Sequence, residues 1–399
     1  MLDSRVHAQL DSQFMSAPAE IRRAIYEHLV TSSSIHLFLS PQGRLQVTTC
    51  LEPSTSPPLG GFFDPDEGHR PKDAGENDPT WARRLRSLWG PHWKCEEASY
   101  ARDLDHISNL LSVCKKMFLD VGTMVLEGAT INVTDLATLE LLSRKPAEEA
   151  SGPNHLWNLA TYAYPLIQRL NVTLRLPLAV YEALASAQDD QPGRAAQEVG
   201  EDATAVACAT WARAWPAVGQ LPQLHHLHVW LDHDGSSSWS HVRERQAVGT
   251  GLMTVLRARL QGRSRAENPL PTVEVLFNLP KLHPALARPE THYVPGSPPP
   301  PFSIERRFRQ SAHGEEGADG ILRVKYEDDF PITRITVYLA KFWDDPDNWS
   351  PHDVTEDDIR EMEDFETLLW ERGDDVYAYL KDVTTDMQPN YDPAPCRRI

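Results

Sequence analysis

No apolar run in this sequence approaches the roughly 20 residues that cross a bilayer. No basic stretch followed by an apolar core and a cleavage site precedes the first helical pattern. The expectation is a soluble intracellular chain with no membrane partner. Cysteine is scarce: Cys50, Cys95, Cys114, Cys208 and Cys396 are five among 399 residues and show no paired spacing. That argues against a disulfide framework and against a zinc ribbon, and the thiols are expected to be reduced. Basic charge is in deficit, with 39 Lys and Arg against 57 Asp and Glu, a formal charge of -18. Such a balance repels a phosphate backbone. The three basic patches, Arg83, Arg84 and Arg86, then Arg257 to Arg265, then Arg306, Arg307 and Arg309, are each short. Nucleic acid is therefore not an expected partner.

Motifs that announce catalysis are missing as well. There is no Gly-rich phosphate loop, no His-Glu-x-x-His and no Gly-x-Ser-x-Gly elbow. The acidic pairs Asp344-Asp345 and Asp357-Asp358 sit in charge runs that read as solvated faces. The expectation is a non-enzymatic chain with no cofactor and no metal. Asn132-Val-Thr and Asn171-Val-Thr match the glycosylation pattern but fall inside strand-like runs, and Asn348-Trp-Ser shares the missing export signal, so all three read as false positives.

What is present is enough apolar material for real cores, 41% of residues. Pro18 suits the first turn of a helix, and Glu20 complements its positive end. Ile21, Ile25 and Leu29 then recur every four residues until Thr31-Ser-Ser-Ser breaks the pattern. "SIHLFLS" and "GRLQVTTC" flank Pro41-Gln42-Gly43 and read as a hairpin. A loop is expected from Glu52 to Thr80, then a tryptophan-dense stretch, then one amphipathic helix from Ile107 to Val125 with Cys114 as a buried thiol. From there strand and helix patterns alternate: "ATINVTD", "IQRLNVTLRLP" and "LHHLHVWLDHD" are each followed by a helical run, the last from Val242 to Leu260, and "TVEVLFNLP" closes the series. "FSIERRFR", "ILRVKYED" and "ITRITVYLAKF" carry strand-like spacing that would extend the same sheet. Thr355 opens a last helix with Ile359, Met362, Phe365, Leu368 and Leu369 as its apolar stripe and Gly373 as its stop. The fold class expected is α/β (or α+β) with a parallel or mixed sheet. The organisation expected is an N-terminal region over 1–145, a strand–helix region over 146–382 and a flexible tail over 383–399.

The opening "APAEIRRAIYEHLV" resembles the first helix of an F-box, through Pro18, Ile21, Ile25 and Leu29, with Ala17 in place of the usual leucine. "LLSVCKKMFLDVGTMVLEGATINV" resembles the helix and strand that follow such an opening in a set of uncharacterised fungal proteins. The resemblance covers roughly the first 140 residues and implies an F-box-like helical portion. It also implies a non-enzymatic interaction module, with the adaptor of an SCF-type ubiquitin ligase as partner and the chain as substrate receptor. A true F-box runs three helices in succession, whereas here the hairpin and loop intervene. Two readings of Ile21, Ile25 and Leu29 follow: they dock the adaptor, or they pack on the stripe of Ile107 to Val125. An alternative function is a globular protein with a small-molecule, metal or enzymatic role whose F-box-like helix is only structural.

The sheet offers a second candidate surface. Alternation turns Leu170, Val172, Leu174, Leu227, Val229 and Leu231 to one side, and Arg175, His228 and Trp230 to the other. Trp and Arg are favoured anchors at protein interfaces, so these three are candidates for binding an unidentified protein partner, against the alternative of a solvated or helix-covered face. His226, His228 and Asp232 carry metal-ligand chemistry but line up along an extended strand instead of converging. His92 and Cys95 raise the same thought and read instead as part of an aromatic cluster of Trp81, Trp89 and Trp93 that anchors the end of the loop.

Overall fold

A computed structural model describes residues 12–30, 33–40, 43, 45–51, 79–100, 106–144, 159–187, 201–249, 251, 253–257, 259, 272–316, 322–329, 355–376, 378 and 379. The fold is α/β. A short helix α1 (Gln13–Ser16) and helix α2 (Ala19–Leu29) lead into the hairpin of β1 (Ser34–Leu39) and β2 (Leu45–Thr49), which pair antiparallel. Strands β3 (Thr130–Val133), β4 (Arg169–Leu176), β5 (His226–His233), β6 (Glu274–Pro280) and β7 (Ser303–Arg307) then add in chain order, each parallel to the one before, and β3 pairs with β1. The result is a seven-stranded sheet in the order β2-β1-β3-β4-β5-β6-β7. It runs past position 145 without a break, since β3 and β4 pair across it.

Parallel neighbours need a crossover of a dozen or more residues, and helices supply it except between β6 and β7, where residues 281–302 are turns and irregular backbone. The helices include α5 (His106–Val113), α6 (Lys115–Gly128), α7 (Leu136–Ser143), α8 (Leu159–Ala163), α9 (Leu178–Ser186) and α10 (Glu201–Val218). Ile35, Leu37, Ile131, Val133, Leu170, Val172, Leu174, Leu227, Val229, Leu231, Phe277 and Leu279 form one buried cluster with residues of these helices. Asp135 starts α7 by accepting from the backbone of Thr138 at 2.7 Å and from its hydroxyl at 2.6 Å, which satisfies N-terminal groups the helix cannot bond itself.

The opposite sheet face carries polar side chains and is nonetheless buried. His36, Asn132, Asn171 and His228 stand in register across four strands. Asn171 donates to the Asn132 side-chain oxygen at 3.0 Å, and Asn132 donates to Ser34 Oγ at 2.7 Å and Ile35 O at 2.9 Å. Both glycosylation-pattern asparagines in strands are thus enclosed. The cover comes from α3 (Pro79–Leu85), a 3-10 turn over Gly90–His92 and α4 (Trp93–Tyr100).

Several elements differ from the sequence reading. The helix expected from Ile107 to Val125 is two helices broken at Cys114, whose backbone is extended and whose sulfur caps Met117 N at 3.5 Å; Cys114 is half-buried, not enclosed. Apolar spacing ran through the break because both helices feed one core. Helix α10 went unread although Trp211, Ala214, Trp215 and Val218 bury one side of it. The stretch 242–260 holds α11 (Glu244–Ala247) and further helical residues at 251, 253–257 and 259. Strand β9 (Leu322–Asp328) does not extend the sheet but pairs antiparallel with β8 (Gln310–Glu316) in a separate ribbon. The last helix, α12 (Glu356–Arg372), has its Thr355 cap and Gly373 stop, but Phe365 and Leu368 are exposed, and among its described side chains Glu366 and Leu369 are the buried ones, that of Ile359 lying outside them. The expected strand "ITRITVYLAKF", the loop up to residue 78 and the tail lie outside the described residues.

Candidate functional site

Helix α2 presents the first candidate. Ile21, Ile25 and Leu29 are 54%, 40% and 53% exposed, and Pro18 is exposed as well. The reading in which these three pack on the 107–125 stripe is therefore incorrect. The helix is held from its other side: Arg22 and Tyr26 are buried, Arg22 Nε donates to Asp120 on α6 at 2.7 Å and Arg22 Nη1 to Ala17 O at 2.5 Å. The Tyr26 ring meets Phe14 edge-on at 5.5 Å. The polar and aromatic residues thus point in and the apolar stripe points out, the reverse of an ordinary surface helix.

Arg175, His228 and Trp230 do share one face of the sheet, as alternation requires, but the chain covers them itself. The side chain of Arg175 donates to Leu85 O, and to Ser87 O at 2.8 Å. Gly90 lies so close that a Cβ there would stand 2.9 Å from Thr173 Cγ2 and Trp230 Cη2, and its φ of +55° is one that L side chains rarely adopt. The Arg307 guanidinium lies 3.8 Å from the Trp230 ring centre. Trp230 is only 6% exposed, so the face is covered by the chain itself, as in the covered-face alternative, and is not open to a partner. His226 points outward and faces Glu274 at 3.1 Å.

Asp232, a metal-ligand candidate by type, is occupied otherwise. Its oxygens meet Arg309 Nε at 2.8 Å, Arg175 Nη2 at 3.1 Å and Arg307 Nη2 at 3.4 Å. Burial alone would raise its pKa, but the guanidiniums of Arg309, Arg175 and Arg307 hold it well below the usual carboxylate range. Arg309 also donates to Ser237 O, His233 O and Gly235 O, so this is a clamp at the strand ends with its charges engaged. A cleft of about 900 Å³ lies between α3–α4 and the β8–β9 ribbon, and there too charges pair, Arg83 with Glu97 at 2.9 Å.

The sequence model of a domain of unknown function, DUF7730, matches residues 7–272. The chain belongs to that family. No curated protein and no solved structure matches the chain. The DUF7730 region holds α2 and the covered face, and it stops just before β6, while Arg307 and Arg309, which neutralise Asp232, lie beyond it.

One group inside the DUF7730 region was not assembled from sequence. His36 on β1, Cys50 directly after β2, His92 in the 3-10 turn and Cys95 on α4 are all buried, and one ligand-type atom from each lies within 4.8 Å of all the others. Cys50 Sγ is 3.4 Å from His92 Nδ1 and 3.9 Å from Cys95 Sγ. His92 and Cys95 were singled out together with Trp89 and Trp93; Trp89 lies 4.7 Å from His36 and 5.2 Å from Phe38, Trp93 is buried with the Arg84 guanidinium 3.9 Å from its ring centre, and the side chain of Trp81 lies outside the described residues. The signals missed were His36 and Cys50, both on or beside the hairpin and set apart from Cys95 by the long stretch between hairpin and α3. Among the described residues no helix is long and apolar enough to cross a membrane.

Proposed function

We propose that the chain is a non-enzymatic protein-interaction module that docks through the outward stripe of α2, with the adaptor of an SCF-type ubiquitin ligase as the partner its F-box-like opening fits. The observation that carries this reading is the exposure of Ile21, Ile25 and Leu29 on a helix pinned from behind by Arg22 and Tyr26. Fixed in that orientation, the helix cannot turn its apolar stripe inward without breaking the Arg22–Asp120 pair and extracting Tyr26 from the core. Three such side chains over about 12 Å of helix form the i, i+4, i+8 pattern by which helices meet protein grooves. The interruption of the F-box succession in sequence is less severe in space, since α2 packs on α6 and α6 on α5.

The test is binding of purified full chain to purified adaptor. Saturable binding is expected, and Ile21→Asp combined with Leu29→Asp weakens it by roughly tenfold or more, the scale of hot-spot loss, with unchanged circular dichroism because both residues are exposed. No binding by the wild type, or equal affinity in the double variant, contradicts the reading.

A further inference from the structure

We propose that His36, Cys50, His92 and Cys95 form a structural zinc site that fastens the 85–95 cover to the β1–β2 hairpin. A tetrahedral site with Zn–S of about 2.3 Å and Zn–N of about 2.0–2.1 Å separates its ligand atoms by roughly 3.3–3.8 Å. The Cys50–His92 separation of 3.4 Å falls within that range and the Cys50–Cys95 separation of 3.9 Å lies just above it, and the whole quartet converges within 4.8 Å. The convergence is built, not local: the four side chains come from four segments, and Cys50 and His92 are 42 positions apart.

Two further observations point to a bound ion. His36 is fully buried, and neither ring nitrogen has a hydrogen-bond partner outside the quartet, Cys95 being the group that its ring meets. A buried donor or acceptor left in that state costs about 1–3 kcal/mol, and coordination removes the deficit at one nitrogen. Leu51 N donates to Cys95 Sγ at 3.3 Å, the kind of outer hydrogen bond that steadies a ligating thiolate. Charge also selects the ion: two thiolates and two neutral imidazoles around a divalent cation sum to zero, which a buried site tolerates. Hard cations such as magnesium and calcium are disfavoured because no oxygen ligand is in the set. Sulfur and imidazole in a tetrahedron suit zinc.

With four protein ligands the site has no open position for a substrate, so its role is to hold structure. It joins His36 and Cys50 of the hairpin to His92 and Cys95 of the cover, and closing so long a loop is where a metal clip gains most. Loss of the metal therefore loosens the segment that seals Trp230.

The experiment is elemental analysis of the full chain purified without chelator and reloaded with zinc, beside the cobalt(II) form. Roughly one zinc per chain is expected, with the intense ligand-field and sulfur charge-transfer bands of tetrahedral cobalt. Cys50→Ser with Cys95→Ser lowers the zinc content by roughly tenfold or more, whereas Cys208→Ser, on α10, leaves it unchanged. If the double variant fails to fold, the wild-type cobalt spectrum decides. Absence of zinc together with absence of tetrahedral cobalt bands overturns the proposal. So does metal retained in the folded double variant, and so does a mass two hydrogens lighter that locates a Cys50–Cys95 disulfide in the freshly purified chain.

Discussion

Phe118 and Lys116 sit two positions apart on α6 and face opposite surroundings. Phe118 is buried with its ring centre 5.7 Å from that of Tyr162, whereas Lys116 is exposed and reaches Met15 O at 2.5 Å. Phe118→Ala is expected to destabilise by about 3 to 5 kcal/mol, the transfer plus cavity scale for a core aromatic. Lys116→Ala is expected to cost about 1 kcal/mol, one hydrogen bond. Chemical unfolding of the two variants checks the difference. His233 supplies a pH prediction. Burial first, and Arg309 second, push its pKa down to about 4. The unfolded chain therefore binds a proton between about 6.5 and 4 that the folded chain refuses, and stability falls as pH drops through that window. The loss is on the order of 3 kcal/mol at about 1.4 kcal/mol per pKa unit. His233→Gln should flatten this part of the stability–pH curve relative to the wild type, and an unchanged slope contradicts the assignment. Which residues share a sheet face was legible, because a period of two admits no other arrangement. What covers that face was not legible: Gly90 and Leu85 meet the sheet through chain distances of 140 residues and 90 residues that no local pattern encodes.

At the scale of elements, the hairpin and strands β3 to β7 were readable because alternation and turn signals are local properties. Helix α2 was readable as a helix but not in its orientation. Its apolar spacing invited burial, and the deciding contacts, Arg22 with Asp120 and Tyr26 with Phe14, are tertiary. Periodicity was equally blind to the Cys114 break, where two helices with a common core mimic one. The reversed polarity of α2 is what the docking variants probe, since Ile21→Asp and Leu29→Asp alter its solvent face and leave Arg22 and Tyr26 in place. The His36, Cys50, His92 and Cys95 group belongs to this scale as well. Each ligand lies on or beside a different element, so the residue types were visible and their meeting was not.

The seven-stranded sheet has two differently filled faces, and it depends on more chain than the family match spans. Strands β6 and β7 lie beyond residue 272, and so do Arg307 and Arg309, which hold the charge of Asp232. A chain cut after residue 272 leaves β5 as an open edge and Asp232 with Arg175 as its remaining cation. It should be insoluble or lack a cooperative unfolding transition. A fragment that unfolds cooperatively at the midpoint of the full chain contradicts this dependence. The molecule seals its polar face and leaves the α2 stripe in solvent, so a docking partner should meet the chain at α2 and nowhere on the sheet. Hydrogen exchange of the full chain with saturating adaptor tests that claim most directly. Added protection confined to residues 19–29 and the helix behind them is expected. No protection anywhere, or protection that falls on residues 85–95 and the strands they cover, contradicts it.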